Sequence, residues 1–189
     1  MTSRLVHRQK VAGERGELKI FLGAVPGVGK TYRMLNEARD RIARGEDIVI
    51  GLVEPHGRPA TAALVEGVEQ VPLQTIRYRG VEFRELNLAA ILERSPQVVI
   101  VDELAHTNIP GAGNEKRWQD VEELLNAGID VVTTLNVQHL ESLNDQVRGI
   151  TGVQVRETVP DWIVQEAYEL LLIDLPPREL LERLREGKV

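Results

Sequence analysis

The sequence contains no cysteine, so disulfide scaffolds, zinc–thiolate sites, iron–sulfur clusters and cysteine nucleophiles are all excluded. It also lacks an excess of positive charge, because 29 acidic residues against 23 Lys and Arg give a formal net charge of −6. Such a chain has no general electrostatic attraction for nucleic acid or for an anionic membrane surface. We therefore expect a protein of the reducing cytoplasm that binds no nucleic acid.

Long apolar runs are missing as well. No segment approaches the roughly 20 consecutive apolar residues that cross a bilayer, and residues 1–16 carry scattered charges without the apolar stretch of a signal peptide. We expect no direct membrane insertion by this segment. The histidines show no metal-ligand spacing, and no serine lies in a nucleophile-elbow context, so neither a zinc or iron site nor serine-hydrolase chemistry is predicted.

Apolar, β-rich segments alternate with longer helical patterns, and several of these segments have no polar face, as in parallel strands covered on both sides. The predicted strands are Leu18–Gly23, Asp47–Val53, Leu73–Tyr78, Gln97–Asp102, Asp130–Asn136, Val153–Glu157 and Glu169–Asp174. The predicted helices are Lys30–Arg44, Thr61–Gln70, Phe83–Arg94, Asn114–Ala127, Leu140–Gly149 and Pro176–Glu186.

This order predicts an α/β fold: a doubly wound, mainly parallel sheet of the P-loop NTPase-like type, with helices on both faces in a three-layer αβα arrangement. We expect one such domain over residues 17–189, preceded by a flexible N-terminal arm over residues 1–16.

A glycine-rich loop follows the first predicted strand and precedes the first predicted helix. Residues 24–31, AVPGVGKT, have the P-loop spacing G-x-x-x-x-G-K-[ST] with alanine at the first glycine position. Gly27 and Gly29 allow the backbone N–H groups around Val28 to turn toward phosphate oxygens. Lys30 can reach the β- and γ-phosphates, and the Thr31 hydroxyl can ligate Mg²⁺.

The alternative is a glycine-rich turn with a chance Lys-Thr pair. The position between a strand and a helix favours the nucleotide hypothesis, since the helix N-terminus adds partial positive charge at the same point. The segment therefore predicts binding of ATP and Mg²⁺. We expect Lys30 to face solvent without ligand, so that Lys30→Ala abolishes ATP affinity and leaves the fold intact.

Two acids follow another apolar strand, VVIV at residues 98–101. In a Walker B strand the aspartate, here Asp102, holds Mg²⁺, and the next glutamate, here Glu103, orients or deprotonates an attacking water. Glu103 is thus the candidate catalytic residue, and a strand ending in solvated acids is the alternative. The Glu directly after the Asp also predicts an ASCE-type sheet, in which another strand separates the P-loop strand from the Walker B strand.

Further candidates lie at a third strand end and in loops. Asn136 is a candidate γ-phosphate sensor, or it satisfies backbone groups at the strand end. No Asn-Lys-x-Asp signature for guanine occurs, which favours ATP over GTP. The loops at 54–58 and 107–114 are candidates for phosphate contact or a nucleotide-dependent switch, with polar turns as the alternative. Arg117 and Trp118 are candidates for a partner subunit or base stacking, although packing is the safer assignment for Trp118.

The sequence closely resembles the N-terminal cytoplasmic domain of the KdpD family, bacterial sensor histidine kinases that control high-affinity potassium uptake. The resemblance runs from about Gly16 to the C-terminus. The matching stretches are GELKIFLGAVPGVGKTYRML, the HGR loop, VVIVDELAHTNIPG, KRWQDVEELLNAGIDVVTTLNVQHLESLND and GVQVRETVPD.

The resemblance implies a fragment of a longer sensor kinase tethered to the inner face of the cell membrane. The absent parts would be a universal-stress-protein-like module, transmembrane helices and the kinase core. It implies ATP binding through Gly27, Gly29, Lys30 and Thr31, with Asp102 as the Walker B acid, and occupancy that tunes the balance of kinase and phosphatase activities under potassium limitation or osmotic stress. A homodimer is left open.

Two other hypotheses stay open. One is a free-standing P-loop ATPase or small-molecule phosphotransferase, which usually needs a lid or an arginine clamp. The other is a scaffold with a vestigial nucleotide site. The fragment lacks a kinase core, and whether it is itself an enzyme beyond a slow ATPase is undecided by the sequence.

Overall fold

The computed structural model describes residues 13–55, 57–152 and 154–185. Its central sheet has five strands in the order β2-β5-β6-β1-β7, all parallel. These strands are β1 (Leu18–Gly23), β2 (Ile48–Leu52), β5 (Val98–Val101), β6 (Asp130–Asn136) and β7 (Glu169–Ile173), and a separate antiparallel hairpin pairs β3 (Gln74–Tyr78) with β4 (Val81–Glu85). The helices are α1 (Lys30–Ala43), α2 (Pro59–Val65), α3 (Leu88–Arg94), α4 (Arg117–Asn126), α5 (Glu141–Thr151), α6 (Asp161–Gln165) and α7 (Pro177–Arg185).

Two apolar clusters lie on opposite faces of the central sheet, because successive residues of a strand point to opposite sides. Phe21 of β1 belongs to the cluster that contains Met34 of α1. Its neighbour Ile20 belongs to the other cluster, with Ile91 of α3 and Leu124 of α4. The predicted three-layer αβα arrangement is therefore confirmed.

The strand order also confirms the predicted ASCE-type sheet. Strand β6 lies between β1 and β5, with Thr133 in register with Ile20 on one side and with Val101 on the other. Because all five strands are parallel, the ends of β1, β5 and β6 meet at one edge of the sheet, which is where ligands bind in open α/β folds.

The prediction was wrong between residues 73 and 87. The predicted strand at Leu73–Tyr78 exists as β3, but it pairs with β4 and not with the central sheet. The first part of the predicted helix Phe83–Arg94 is instead the end of β4. Arg79 and Gly80 have φ values of 50° and 81°, and two consecutive positive values are typical of the tight turn that closes a two-residue hairpin.

Helix α3 begins only after Asn87. The side-chain oxygen of Asn87 accepts a hydrogen bond of 3.1 Å from the backbone N–H of Ala90, which satisfies a donor that the first turn of a helix leaves free. This N-cap fixes the start of the helix behind the hairpin. Helix α2 ends at Val65, earlier than predicted, and Gly67 follows with a φ of 79°.

The predicted strand Val153–Glu157 is also wrong: Val153 lies outside the described residues, and residues 154–157 form no strand. The place beside β1 is taken by β7, so this segment has no strand partner there. It is held instead by side chains such as His139, whose Nδ1 lies 2.7 Å from the Glu157 carbonyl oxygen. The short helix α6 follows it and is missing from the prediction.

Most of the arm predicted over residues 1–16 lies outside the described residues. At its end, the Gly16 N–H donates to the Leu125 carbonyl at 2.7 Å, and Arg15 forms a salt bridge with Glu122 at 2.7 Å. Both contacts join the start of β1 to α4. Among the described helices, none combines the length and the apolar character that a bilayer crossing requires.

Candidate functional site

A cavity of about 200 Å³ lies at the edge of the sheet where β1, β5 and β6 end. Six of the predicted site residues line it: Gly27, Lys30, Thr31, Asp102, Glu103 and Asn136. The structure therefore brings together residues that are up to 109 positions apart in the sequence, from Gly27 to Asn136. Val28 does not line the cavity, because its side chain is 3% exposed and packs in the core beside Phe21.

The glycine-rich loop connects β1 to α1 and depends on two left-handed glycines. Gly27 has a φ of 83° and Gly29, the N-cap residue of α1, a φ of 96°, values that residues with a side chain rarely adopt. The buried Val28 side chain between them anchors the loop to the core. As a result, the positive N-terminal end of a 14-residue helix lies at the cavity, where it favours an anion.

Lys30 turns back over the end of β1. Its Nζ donates a hydrogen bond of 2.5 Å to Oδ1 of Asn136, and Gly23 leaves room for it, since a Cβ there would lie 2.7 Å from the Lys30 Cδ. Burial lowers the pKa of Lys30, nearby carboxylates oppose this shift, and Arg58 adds to it. The expectation that Lys30 faces solvent is wrong, because Asn136 draws it into a part-buried position.

Asp102 lines the cavity although it is only 1% exposed. The Thr31 hydroxyl donates to its Oδ2 at 3.0 Å, and the Thr134 hydroxyl donates a short hydrogen bond to its Oδ1. Burial raises the pKa of Asp102; the Thr134 and Thr31 hydrogen bonds lower it, and the charge of Glu103 raises it further. A hydroxyl and a carboxylate in contact are hard oxygen ligands of the kind that Mg²⁺ takes, so the residues present fit this ion.

Glu103 stands at a strained position of the backbone. Its φ is 59°, which is uncommon for a residue with a side chain and is found where surrounding contacts hold it. Its N–H donates to Oδ1 of Asp102 and to Oγ1 of Thr134, at 3.1 Å in both cases. On the other side of the turn, Arg117 Nη1 donates to the carbonyl oxygens of Asp102 at 3.0 Å and Glu103 at 3.4 Å.

Arg117 is buried, which sequence reasoning missed. It is 1% exposed and its Nη2 lies 3.3 Å from Oε2 of Glu85, itself 3% exposed. A role for Arg117 toward a partner subunit or a base is therefore wrong. Trp118 makes an edge-to-face contact with Trp162 at a centroid distance of 5.9 Å, which confirms packing as its assignment.

Glu85 escaped the sequence analysis because it was placed inside the predicted helix Phe83–Arg94, whereas it is the last residue of β4. The local signal for its position is the alternating segment VEFRE of β4, which is too short to distinguish a strand from a helix start. Burial alone would raise the pKa of Glu85, but hydrogen bonds from His106 and the Ile109 N–H, with the charge of Arg117, outweigh burial and lower it. His106 Nε2 lies 3.0 Å and the Ile109 nitrogen 3.1 Å from its Oε1.

The loop at 107–114 is tied to α4. Asp120, 3% exposed, accepts hydrogen bonds from Asn108 at 2.7 Å and from Asn114 at 2.9 Å. Burial raises the pKa of Asp120, and these two hydrogen bonds oppose the shift. Nucleotide-dependent switching of this loop stays a prediction. In the loop at 54–58, residue 56 lies outside the described residues and Arg58 lines the cavity.

Fold and cavity together define an α/β protein with a three-layer αβα arrangement and a polar cavity at the carboxyl edge of its parallel sheet. A family model described as "Osmosensitive K+ channel His kinase sensor domain" matches residues 14–189. The chain belongs to this family, KdpD, and the resemblance found in its motifs is confirmed.

Named relatives include the sensor protein KdpD of Escherichia coli, 58% identical over 181 residues, which cover 96% of this chain and 20% of that protein. The sensor protein KdpD of Mycobacterium tuberculosis is 55% identical over 181 residues, 96% of this chain and 21% of that protein. A putative sensor protein KdpD of Synechocystis is 58% identical over 175 residues, 93% of this chain and 47% of that protein. The chain thus spans between about a fifth and a half of these relatives, in which it corresponds to one part of a longer sensor protein.

Proposed function

We propose that this chain is the ATP- and Mg²⁺-binding regulatory domain of a sensor histidine kinase. Membership of the KdpD family supports the sensor part of the proposal. The nucleotide part is carried by one observation: Lys30, Thr31, Asp102 and Asn136 converge on a single cavity at the N-terminus of α1. A nucleoside triphosphate with Mg²⁺ requires positive charge for its phosphates and hard oxygen ligands for the ion. The helix N-terminus and the lysine supply the first, and the hydroxyl and carboxylate oxygens beside them supply the second.

Lys30 and the backbone of the glycine-rich loop would hold the phosphates. Burial disfavours the charge on Lys30, and an anionic phosphate restores it because an opposite charge favours the charged form. Lys30 would exchange the Asn136 oxygen for a phosphate oxygen, which frees the Asn136 side chain to sense the γ-phosphate. Thr31 and Asp102 would hold Mg²⁺, which neutralises phosphate charge when bound.

Glu103 is the candidate for any hydrolytic step. It follows the magnesium-facing acid directly and lines the same cavity, so its carboxylate can orient or deprotonate a water at the phosphate. Arg58, which lines the cavity from the loop after β2, would add a second cation beside Lys30. This set of residues suits slow hydrolysis as well as binding.

The regulatory part of the proposal concerns the rest of the same kinase. The relatives are named sensor proteins and are two to five times as long as the matched region. We infer that nucleotide occupancy acts from the inner side of the cell membrane on the balance of kinase and phosphatase activities. The controlled process would be high-affinity potassium uptake under potassium limitation or osmotic stress.

Calorimetric titration of ATP with and without Mg²⁺, paired with a phosphate-release assay on the same sample, tests the proposal. We expect binding that Mg²⁺ strengthens and little release of phosphate. Release at many turnovers per minute would instead favour a free-standing P-loop ATPase or a small-molecule phosphotransferase. Absence of binding under both conditions would contradict the proposal and favour a vestigial site. Sedimentation of the same samples tests for a homodimer.

A further inference from the structure

We propose that Arg117 and Glu85 form a buried positioning pair that holds the strained backbone of Glu103, and with it the magnesium-facing end of β5. Neither side chain lines the cavity; they act through the residues that do. The assignment of a purpose to this pair rests on the proposed nucleotide function, whereas its effect on the backbone does not.

The contacts of Arg117 converge on the acidic turn. One terminal nitrogen, Nη1, reaches the carbonyl oxygens of both Asp102 and Glu103, at 3.0 and 3.4 Å, and the other, Nη2, lies 3.3 Å from Glu85. A planar guanidinium is suited to this fork, since its donors keep fixed directions. The φ of 59° at Glu103 is thus held by Arg117 from the carbonyl side and by Thr134 and Asp102 from the N–H side.

Packing alone does not explain a guanidinium at this position. Arg117 is 1% exposed, and among the described residues its Nε has no hydrogen-bond partner. An apolar side chain of similar volume commonly fills such a space at equal or better stability. Burial of the Arg117 guanidinium costs free energy that an apolar side chain would not cost. Arg117 offsets this cost by orienting the strained turn at Glu103.

Glu85 connects Arg117 to two other parts of the structure. Its Oε2 meets Arg117, while its Oε1 is shared by His106 and the Ile109 N–H at 3.0 and 3.1 Å. Glu85 is the last residue of β4, and Ile109 belongs to the loop at 107–114. The pair therefore joins the acidic turn to the β3–β4 hairpin and to this loop through one carboxylate.

The variants for the test separate positioning from folding. Arg117→Met alone leaves Glu85 buried without its cation, so the double variant Glu85→Gln/Arg117→Met removes both charges and keeps an oxygen for the Ile109 N–H. Arg117→Lys keeps the positive charge but has a single donor nitrogen, so it lacks the fork that joins the two carbonyl groups to Glu85. It carries the test if the double variant does not fold. Arg94→Met is the matched control, because it removes an arginine that joins two carboxylates at the other end of the sheet.

The first measurement needs no ligand: amide hydrogen exchange at Glu103, resolved by NMR in the 189-residue chain. We expect the Glu103 N–H to exchange about tenfold faster or more in the double variant and in Arg117→Lys, as loss of hydrogen bonds from a charged group predicts. Amides in the middle of β1 and β6 should keep the exchange of the parent chain. Unchanged exchange at Glu103 in either folded variant overturns the proposal.

The second measurement is the ratio of ATP affinities with and without Mg²⁺. The hydrogen bonds of Arg117 and Glu85 go to the acidic turn, to each other, to His106 and to Ile109. We therefore expect the variants to bind ATP without Mg²⁺ as the parent does and to lose about tenfold of the Mg²⁺ enhancement. An unchanged ratio would contradict the role toward Mg²⁺. Failure of the parent itself to bind ATP would contradict the proposed function, while the exchange experiment would still decide the positioning role.

Discussion

Charged side chains are exposed at the amino end of the central sheet and buried at its carboxyl end. At the amino end, Arg94 bridges Asp47 at 2.7 Å and Glu69 at 2.8 Å, and all three side chains are at least 35% exposed. At the carboxyl end, Asp102 and Arg117 are each 1% exposed. Exposed pairs change stability little because water is an equally good partner. Buried polar groups are costly unless every contact is made.

This difference shows at which end buried charges lower the stability of the fold in favour of function. At the amino end, removal of the charged side chains would change the free energy of unfolding little. The carboxyl end combines a buried acid whose pKa is raised, a lysine whose pKa is lowered and a strained glutamate. Groups with shifted pKa values and strained backbone concentrate at functional sites, so the asymmetry itself indicates which edge carries the function.

The sharpest test of the comparison exchanges one arginine at each end. Arg117→Met should lower the free energy of unfolding by about 3–5 kcal/mol, since it leaves the Glu85 carboxylate buried without its cation. Arg94→Met should lower it far less, as for other exposed pairs. Urea unfolding of both variants at pH 7 measures the difference. Equal losses would contradict the contrast between the two ends.

Two lysines of β1 and α1 give the second test. Lys30→Ala should weaken ATP binding by about 100-fold or more, because charge-assisted hydrogen bonds to two phosphates are lost. Lys19→Ala is the control: Lys19 lies near the start of β1, where its Nζ pairs with Glu37 at 2.8 Å and Glu169 at 2.9 Å, and ATP affinity should not change.

The thermal midpoint of unfolding of Lys30→Ala shows whether Lys30 contributes to stability or only to ligand binding. We expect the midpoint in the absence of ligand to stay close to that of the parent, since the hydrogen bond to Asn136 is offset by the burial of the charge. A loss of several kcal/mol in stability would show that Lys30 is a structural residue, and the comparison of the two ends would lose its main support.

Sequence reasoning succeeded for strands and motifs whose residues are neighbours in the chain. Buried strands read as unbroken apolar segments, and the loop from Gly27 to Thr31 and the pair Asp102–Glu103 each lie within a few positions. The parallel order then followed, since strand–helix alternation leaves few topologies open. Most of the fold was therefore within reach, and six of the eight predicted site residues line the cavity. Of the other two, Val28 packs in the core and Gly29 is the N-cap residue of α1.

The same reasoning failed where the outcome depends on distant partners. Glu85 and Arg117 are 32 positions apart, and Lys30 meets Asn136 across 106 positions, so no local pattern reveals either contact. The segment around Val81 has an alternation too short to distinguish a strand from a helix start. Its partner β3 decides the matter, and pairing is a tertiary property.

The contributions of two aspartates to stability, one at each end of the sheet, depend on pH in opposite directions. Burial raises the pKa of Asp102 above its ordinary value of 3.8, whereas the hydrogen bond from Arg94 lowers the pKa of Asp47 below the same value. A raised pKa means that the folded state binds more protons, so the contribution of Asp102 to stability falls as the pH rises above about 3.8. The contribution of Asp47 has the opposite sign: it is present above that pH and is lost as the pH falls through the lowered pKa.

Substitution by asparagine should therefore act in opposite directions at the two ends. At pH 7 without ligand, Asp102→Asn should raise the free energy of unfolding by about 1 kcal/mol, because a buried charge is removed while an oxygen acceptor stays. Asp47→Asn should lower it by a few tenths of a kcal/mol. Asp102→Asn should also remove the Mg²⁺ enhancement of ATP binding. Urea unfolding from pH 4 to pH 8 checks both signs, and a shared sign would contradict the assignment.

The smallest expected effect concerns the second cation at the cavity. Arg58→Ala should weaken ATP binding by about two- to fivefold, the range of partly exposed charge interactions, and ADP binding by less, because the additional γ-phosphate carries most of the attracted charge. The effect should shrink at high salt, where such interactions are screened. Arg77→Ala is the control, since Arg77 lies on the hairpin in an exposed pair with Glu82 at 2.8 Å.

The ratio of the ATP and ADP affinities is the informative quantity, because a general loss of positive charge would weaken both nucleotides alike. An ATP-selective loss in Arg58→Ala that is absent in Arg77→Ala places Arg58 beside the terminal phosphate. Equal losses for ATP and ADP would limit Arg58 to long-range attraction. In that case the polar contacts of the site would come from the glycine-rich loop, the start of α1 and the ends of β5 and β6, and the contrast between the two ends of the sheet would be confined to its three central strands.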